Sequence, residues 1–92
     1  MLIGAMAENP TTGDLFKAKA ITSDEVDAAV DAVLAKPEIG AYPIGGGYLL
    51  DLGVATKAHK PTVAALADLG GNVKHRRIMV RTAILLARPE KV

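Results

Sequence analysis

Residues 22–37, TSDEVDAAVDAVLAKP, spell out the start, the buried stripe and the stop of one helix. Thr22 followed three residues later by Glu25 is a capping box, in which hydroxyl and carboxylate satisfy free amides of the first turn. Val26, Ala29, Val30, Val33 and Leu34 recur at helical spacing and form one apolar stripe. Pro37 ends the run. Asp24, Glu25, Asp27 and Asp31 make the opposite face, the first two suiting the positive end of the helix macrodipole. With no histidine nearby, these carboxylates are expected to form a solvated face rather than a metal or acid–base site. Whatever packs on the stripe must be lean. Phe16, Tyr42 and Tyr48 are the only aromatic residues, so the core is built from Ala, Val, Leu and Ile.

A chain of 92 residues, half of them apolar, supports one core and not two. The scarcity of rings argues against a base-stacking platform. The absence of cysteine excludes disulfides, thiolate metal sites and a cysteine nucleophile. No apolar run reaches the length of a membrane span, and MLIGAMAENP is a poor secretory signal, so a cytoplasmic protein without membrane contact is expected. Net charge is +1, but it is unevenly placed. Residues 1–46 carry seven acids and three cations, and residues 47–92 carry three acids and eight cations. Such asymmetry suits an anionic partner for one face, and equally two solvated faces of opposite sign.

Before the helix, ENPTTGD is a cluster of turn formers, so residues 1–14 read as an arm or an added edge strand. LFKAKAIT alternates, with Phe16, Ala18 and Ala20 against Lys17 and Lys19, which predicts a strand with a lysine-bearing face. After the helix, Ile39 to Ile44 reads as a second strand, leading through three glycines into a second helix from Tyr48 to Lys60. Glycines there could nest an anion, but no Gly-Lys-Ser/Thr follows and the dinucleotide fingerprint is missing. PTVAALADLGG is open between a short helix with a glycine stop and a buried strand from Val63.

NVKHRRIMVRTAILLARP, residues 72–89, is the second ambiguity. As a helix it places Lys74, Arg77, Arg81 and Arg88 on one face. Joined to PTVAALADLGG, it superficially resembles a helix-turn-helix. Two defects stand against this: Arg76 or Arg77 falls where an apolar residue should turn into the core, and the double glycine would loosen the turn. As a strand it places Ile78, Val80, Thr82, Ile84 and Leu86 on one face, mostly β-branched, and ends at Arg88-Pro89. The strand is preferred, with LGGNVKHRR as a hairpin loop.

Laid end to end, these elements give strand–helix–strand–helix–strand–strand. On LFKAKAITSDEVDAAVDAVL, IGAYPIGGGYLLDLGVATKA, VAALADL and RTAILLARP, the chain resembles the stage V sporulation protein S family, within the Alba-like group. The resemblance spans residues 15–90, departing in the arm, in a shortened link before the third strand, and in the basic KHRR. It implies a single α+β domain over residues 15–92, β-α-β-α-β-β with helices packed on one sheet, dimeric and without an active site. By position, it assigns nucleic-acid contact to Lys74, His75, Arg76 and Arg77 on the last hairpin. Arg81, Lys17 and Lys19 join them as candidates. The acidic start of the first helix, Asp24 and Glu25, is a poor match for phosphate.

The leading expectation is therefore DNA or RNA binding through a basic β-hairpin, in a sporulation or developmental regulator. Lysine and arginine would neutralise phosphates and release counterions. The bland alternative is that Arg76 and Arg77 protect a hairpin from edge pairing. A second expectation is a homodimeric structural or protein-interaction module without nucleic acid. No enzyme, cofactor or metal motif stands out. Hydroxyls are confined to a few threonines and Ser23, and neither His59 nor His75 has an evident partner in sequence. His59 suits a helix C-terminus.

Overall fold

The computed structural model describes residues 10–36, 38–68 and 70–91. Helix α1 (Thr12–Lys17) is followed by α2 (Ser23–Ala35), then strand β1 (Ala41–Ile44), a 3-10 turn (Gly45–Gly47) and strand β2 (Tyr48–Asp51). Helices α3 (Leu52–Lys57), α4 (Lys60–Ala67) and α5 (Val73–Leu86) come next, and β3 (Glu90–Lys91) closes the chain. The strands form one antiparallel sheet in the order β1-β2-β3, with Ile44 opposite Tyr48 across the turn and Leu49 opposite Glu90. The expected α+β class holds. The expected order β-α-β-α-β-β is not the one the chain adopts.

Helix α2 forms as its sequence dictates. The Thr22 N–H donates to Glu25 Oε1 (2.9 Å) and the Glu25 N–H donates to Thr22 Oγ1 (3.2 Å). Val26, Ala29, Val30 and Val33 are buried. The strand predicted around residues 15–21 is instead α1 and its exit. Thr11 and Asp14 repeat the capping box with a shorter acid, placing the start of α1 within the stretch assigned to the arm. The rest of the expected arm, residues 1–9, lies outside the described residues. Helix α1 ends in a Schellman motif: Ala20 N–H donates to Leu15 O (2.9 Å) and Lys19 N–H to Phe16 O (3.0 Å). Lys19 takes the left-handed position, φ 67°, where glycine normally sits. Lacking that glycine, the stretch shows alternation and no stop signal.

The three glycines turn a hairpin and do not open a helix. Residues 48–51, predicted helical, pair with β1, and only then does Asp51 cap α3 by accepting from the Val54 N–H (3.0 Å). Gly45 sits at φ 64°, and a Cβ there would lie 2.9 Å from Ile21 Cγ1 and 3.2 Å from Ala20 O. The turn presses directly on the exit of α1, so this glycine is required.

The largest correction concerns the C-terminal half. Residues 63–67 are helical within α4, and residues 73–86 are helical as α5. Asn72 caps α5, accepting from the Lys74 N–H (2.7 Å). Val80, Ala83 and Ile84 are buried at helical spacing. Ile78 and Leu86, which a strand would put beside Val80 and Ile84, are 57% and 61% exposed. A β-branched alternation and a helical stripe coexist in this sequence, and burial selects the stripe.

Helix α5 packs against each of α1, α2, α3 and α4. The core gathers Val80 and Ile84 with Val26, Val30 and Val33 of α2, Leu52 and Ala55 of α3, Ile44 and Leu50 of the sheet, and Leu15 and Ile21. Two buried threonines pin neighbours onto it. Thr12 donates through its N–H (2.8 Å) and its hydroxyl (3.2 Å) to Ala87 O, and the Thr62 hydroxyl donates to Met79 O (2.7 Å).

Two outcomes are expected from these caps and turns. Lys19→Gly relieves a left-handed side chain and should raise stability to urea by about 1 kcal/mol, whereas Lys19→Ala should not. Asp14 and Glu25 are held below the ordinary carboxylate range, first by the backbone N–H of Thr11 and of Thr22 respectively. A lowered carboxyl gives stability that is whole above its unfolded-state pKa and is lost as pH falls through the folded-state value. Melting temperature should therefore fall from about pH 5 downward, and Asp14→Asn/Glu25→Gln should flatten that slope.

Candidate nucleic-acid interface

Helices α4 and α5 form a helix–turn–helix pair, and its joints are hydrogen-bonded. His59 follows the C-cap of α3, its N–H donating to Thr56 O (3.2 Å), and is also the residue before α4; its Nδ1 lies 2.6 Å from Thr62 Oγ1. Because the Thr62 hydroxyl donates to Met79 O, the Nδ1 must be the donor in that contact. The chain His59 to Thr62 to Met79 thus locks the start of α4 against the middle of α5.

At the other end, the double glycine does not leave the turn loose. The Gly71 N–H donates to Asp68 O (3.0 Å), and a Cβ on Gly71 would lie only 3.0–3.2 Å from Asp68 atoms. The Arg76 guanidinium donates to the same Asp68 carbonyl. Its Nε is buried with no hydrogen-bond partner among the described residues. Of the two defects of the helix-turn-helix reading, the turn is stapled by Asp68, while Arg76 does turn inward and the apolar packing of the helix begins later, at Val80, Ala83 and Ile84.

The four residues of KHRR therefore do not share a hairpin loop. They occupy the first turns of α5 and divide by direction. Lys74 and His75 are exposed beside Val73 and Asn72. Arg76 turns back to Asp68, while the Arg77 guanidinium pairs with Asp31 of α2. One turn on, Arg81 Nη1 meets Asp27 Oδ1 at 2.9 Å, and its guanidinium lies 5.8 Å from the Phe16 ring centroid. The pairing of 77 with 31 and 81 with 27 makes α2 and α5 antiparallel.

Lys17 and Lys19 do not join this surface. Lys19 lies with Phe16, Thr22 and Ser23 around a cavity at the N-terminal end of α2, and Lys17 is in the last turn of α1. The antiparallel register puts Lys74 at the opposite, C-terminal end of α2. Part of the charge asymmetry along the chain is thus met inside the molecule, through the two pairs that join the acidic half to the basic half. The signal was present in the sequence: Asp27/Asp31 and Arg77/Arg81 share a spacing of four, which matches only if both segments are helices.

Among the described residues no group of three or more His, Cys, Asp and Glu side chains could hold a metal ion, and no helix is long and apolar enough to cross a membrane. Comparison with protein-family models, curated proteins and solved structures finds no match.

The two rungs between α2 and α5 are partly exposed, so each contributes modestly. Asp27→Asn/Asp31→Asn should lower stability to urea by about 1 kcal/mol at low ionic strength, an effect that shrinks in about 1 M salt.

Proposed function

We propose that this chain binds duplex nucleic acid through the first turn of α5, presented by the α4–turn–α5 pair. The observation that carries the proposal is the outward placement of Lys74 and His75 on a capped helix start whose angle is fixed by the Asp68 and Thr62 joints. A helix N-terminus adds its own positive potential to that of the lysine, and in a helix-turn-helix it is the first residues of the second helix that reach base edges in the major groove. Three aromatic residues, with Phe16 committed to Arg81, favour duplex over stacked single strands. The contact element is a helix start, not the β-hairpin that the sequence suggested, and the proposal does not depend on the Alba-like resemblance.

A homodimeric or protein-interaction role is the second reading, and one observation favours it. Val54 and Leu86, both more than 60% exposed, share a cavity of about 370 Å³ between α3 and the end of α5. That surface is mostly apolar, with Asp51, Arg88 and Glu90 also lining it, and does not include Lys74.

Fluorescence anisotropy with labelled duplex DNA and single-stranded RNA, repeated over a salt series, tests the proposal. Duplex binding should fall in the range of about 10⁻⁴ to 10⁻⁶ M and weaken with salt. Lys74→Ala should reduce the log–log slope by about 1 and weaken all sequences alike, while Lys19→Ala at the far end of α2 should change neither. No duplex binding at low salt, or equal effects of the two substitutions, would sink the proposal and leave the apolar surface as the functional one.

A further inference from the structure

The face between α2 and α5 opens into a cavity of about 340 Å³ lined by Asp27, Val30, Lys74, Arg77, Ile78 and Arg81. Its chemistry is mixed in a particular way. Val30 is fully buried and forms an apolar floor, while Ile78, 57% exposed, forms an apolar wall with nothing described covering it. Lys74, Arg77 and Arg81 line it over two turns of the same helix, against the single carboxylate of Asp27. Two of the three are paired, Arg77 with Asp31 and Arg81 with Asp27, so with Lys74 the groove and its ion partners carry one net positive charge.

We infer that this groove binds a small anionic amphiphile, a carboxylate or sulfate head on a short unbranched apolar tail. Both arginines are already oriented. Each is held to α2 through Nη1, Arg77 by Asp31 and Arg81 by Asp27, and a guanidinium carries five N–H donors. Because both side chains are already held, binding a second carboxylate through a remaining donor costs less side-chain ordering. The Lys74 ammonium adds a mobile cation at one end of the groove. From residue 74 to residue 81 the helix rises about 10 Å, which accommodates an eight-carbon chain lying over Val30 and Ile78. The volume stands at the lower end for small-molecule sites. A phosphodiester backbone would leave the apolar floor unused. This site is distinct from the outward face of the first α5 turn, sharing only Lys74 with it.

Sodium octanoate titrated into the ¹⁵N-labelled chain, followed by amide chemical shifts, tests the inference. Saturable binding near or below about 1 mM is expected, with the largest shifts in residues 27–31 and 74–81. Octan-1-ol and inorganic phosphate should each bind at least about tenfold more weakly, because each supplies only half of the recognition. Ile78→Ser and Lys74→Glu are substitutions at exposed positions that should leave the fold intact by circular dichroism. Each should weaken octanoate about tenfold. Octan-1-ol or phosphate matching octanoate would overturn the inference, as would shifts centred on the Val54–Leu86 cavity or variants that bind like the parent. Nucleic-acid affinity of Ile78→Ser, measured alongside, separates this site from the proposed duplex contact.

Discussion

Val80, Ala83 and Ile84 occupy a stripe little more than one turn long, yet every other helix of the described chain packs on the helix that bears it. In a core almost free of aromatic rings, bulk must come from many small aliphatic contacts closing around a common axis. Helix α5 supplies that axis. Helix α2 lays four buried residues along it, and the sheet, packed on α2 and α3, joins the same core through Ile44 and Leu50. The polar joints fall on the same element. Met79 and Ala87 offer carbonyls to two buried threonine hydroxyls, which satisfies groups that would otherwise be costly to bury.

Legibility in the sequence followed the strength of local signals. Helix α2 carried a full capping box, a long stripe and a proline, and it formed where its residues dictate. Strand β1 was recognised to within two residues. The first element was misjudged because its stop signal rests on a lysine in the left-handed region, where only glycine or asparagine would have announced it. Tyr48 to Asp51 were misassigned because a glycine run before an apolar segment is common to helix starts and hairpin turns alike. At the C-terminus, fourteen residues satisfied two periods at once. The placement of Asp27 and Asp31 on a distant segment also favours the helix, and a pairing across some fifty residues is invisible to any local window.

The candidate site was legible in composition and not in arrangement. KHRR was correctly marked as a concentration of charge, but sequence alone gave no direction to its four side chains. The fold sends two outward and two inward, toward a backbone carbonyl and a carboxylate. Of the eight cations of the C-terminal half, Arg77 and Arg81 pair with carboxylates of α2 and Arg76 turns to a carbonyl, while Lys57, Lys60, Lys74, Arg88 and Lys91 are exposed. Charge counted along a chain therefore overstates the field that a partner meets, whenever the opposite half of the chain supplies the counterions.

The two rungs between α2 and α5 have equal spacing, and this gives them the character of a vernier. Apolar stripes of Val and Ala are nearly uniform, so they resist axial sliding only weakly. If α5 slid by one helical turn, about 5.4 Å, Arg81 would face Asp31 or Arg77 would face Asp27, and one rung would survive while the other lost its partner. The same slip would separate Thr62 from the Met79 carbonyl and would draw Ala87 away from Thr12. Interactions of small individual energy thus exclude the neighbouring registers that a small-residue core would tolerate. Alignment, rather than adhesion, is what these charged pairs provide.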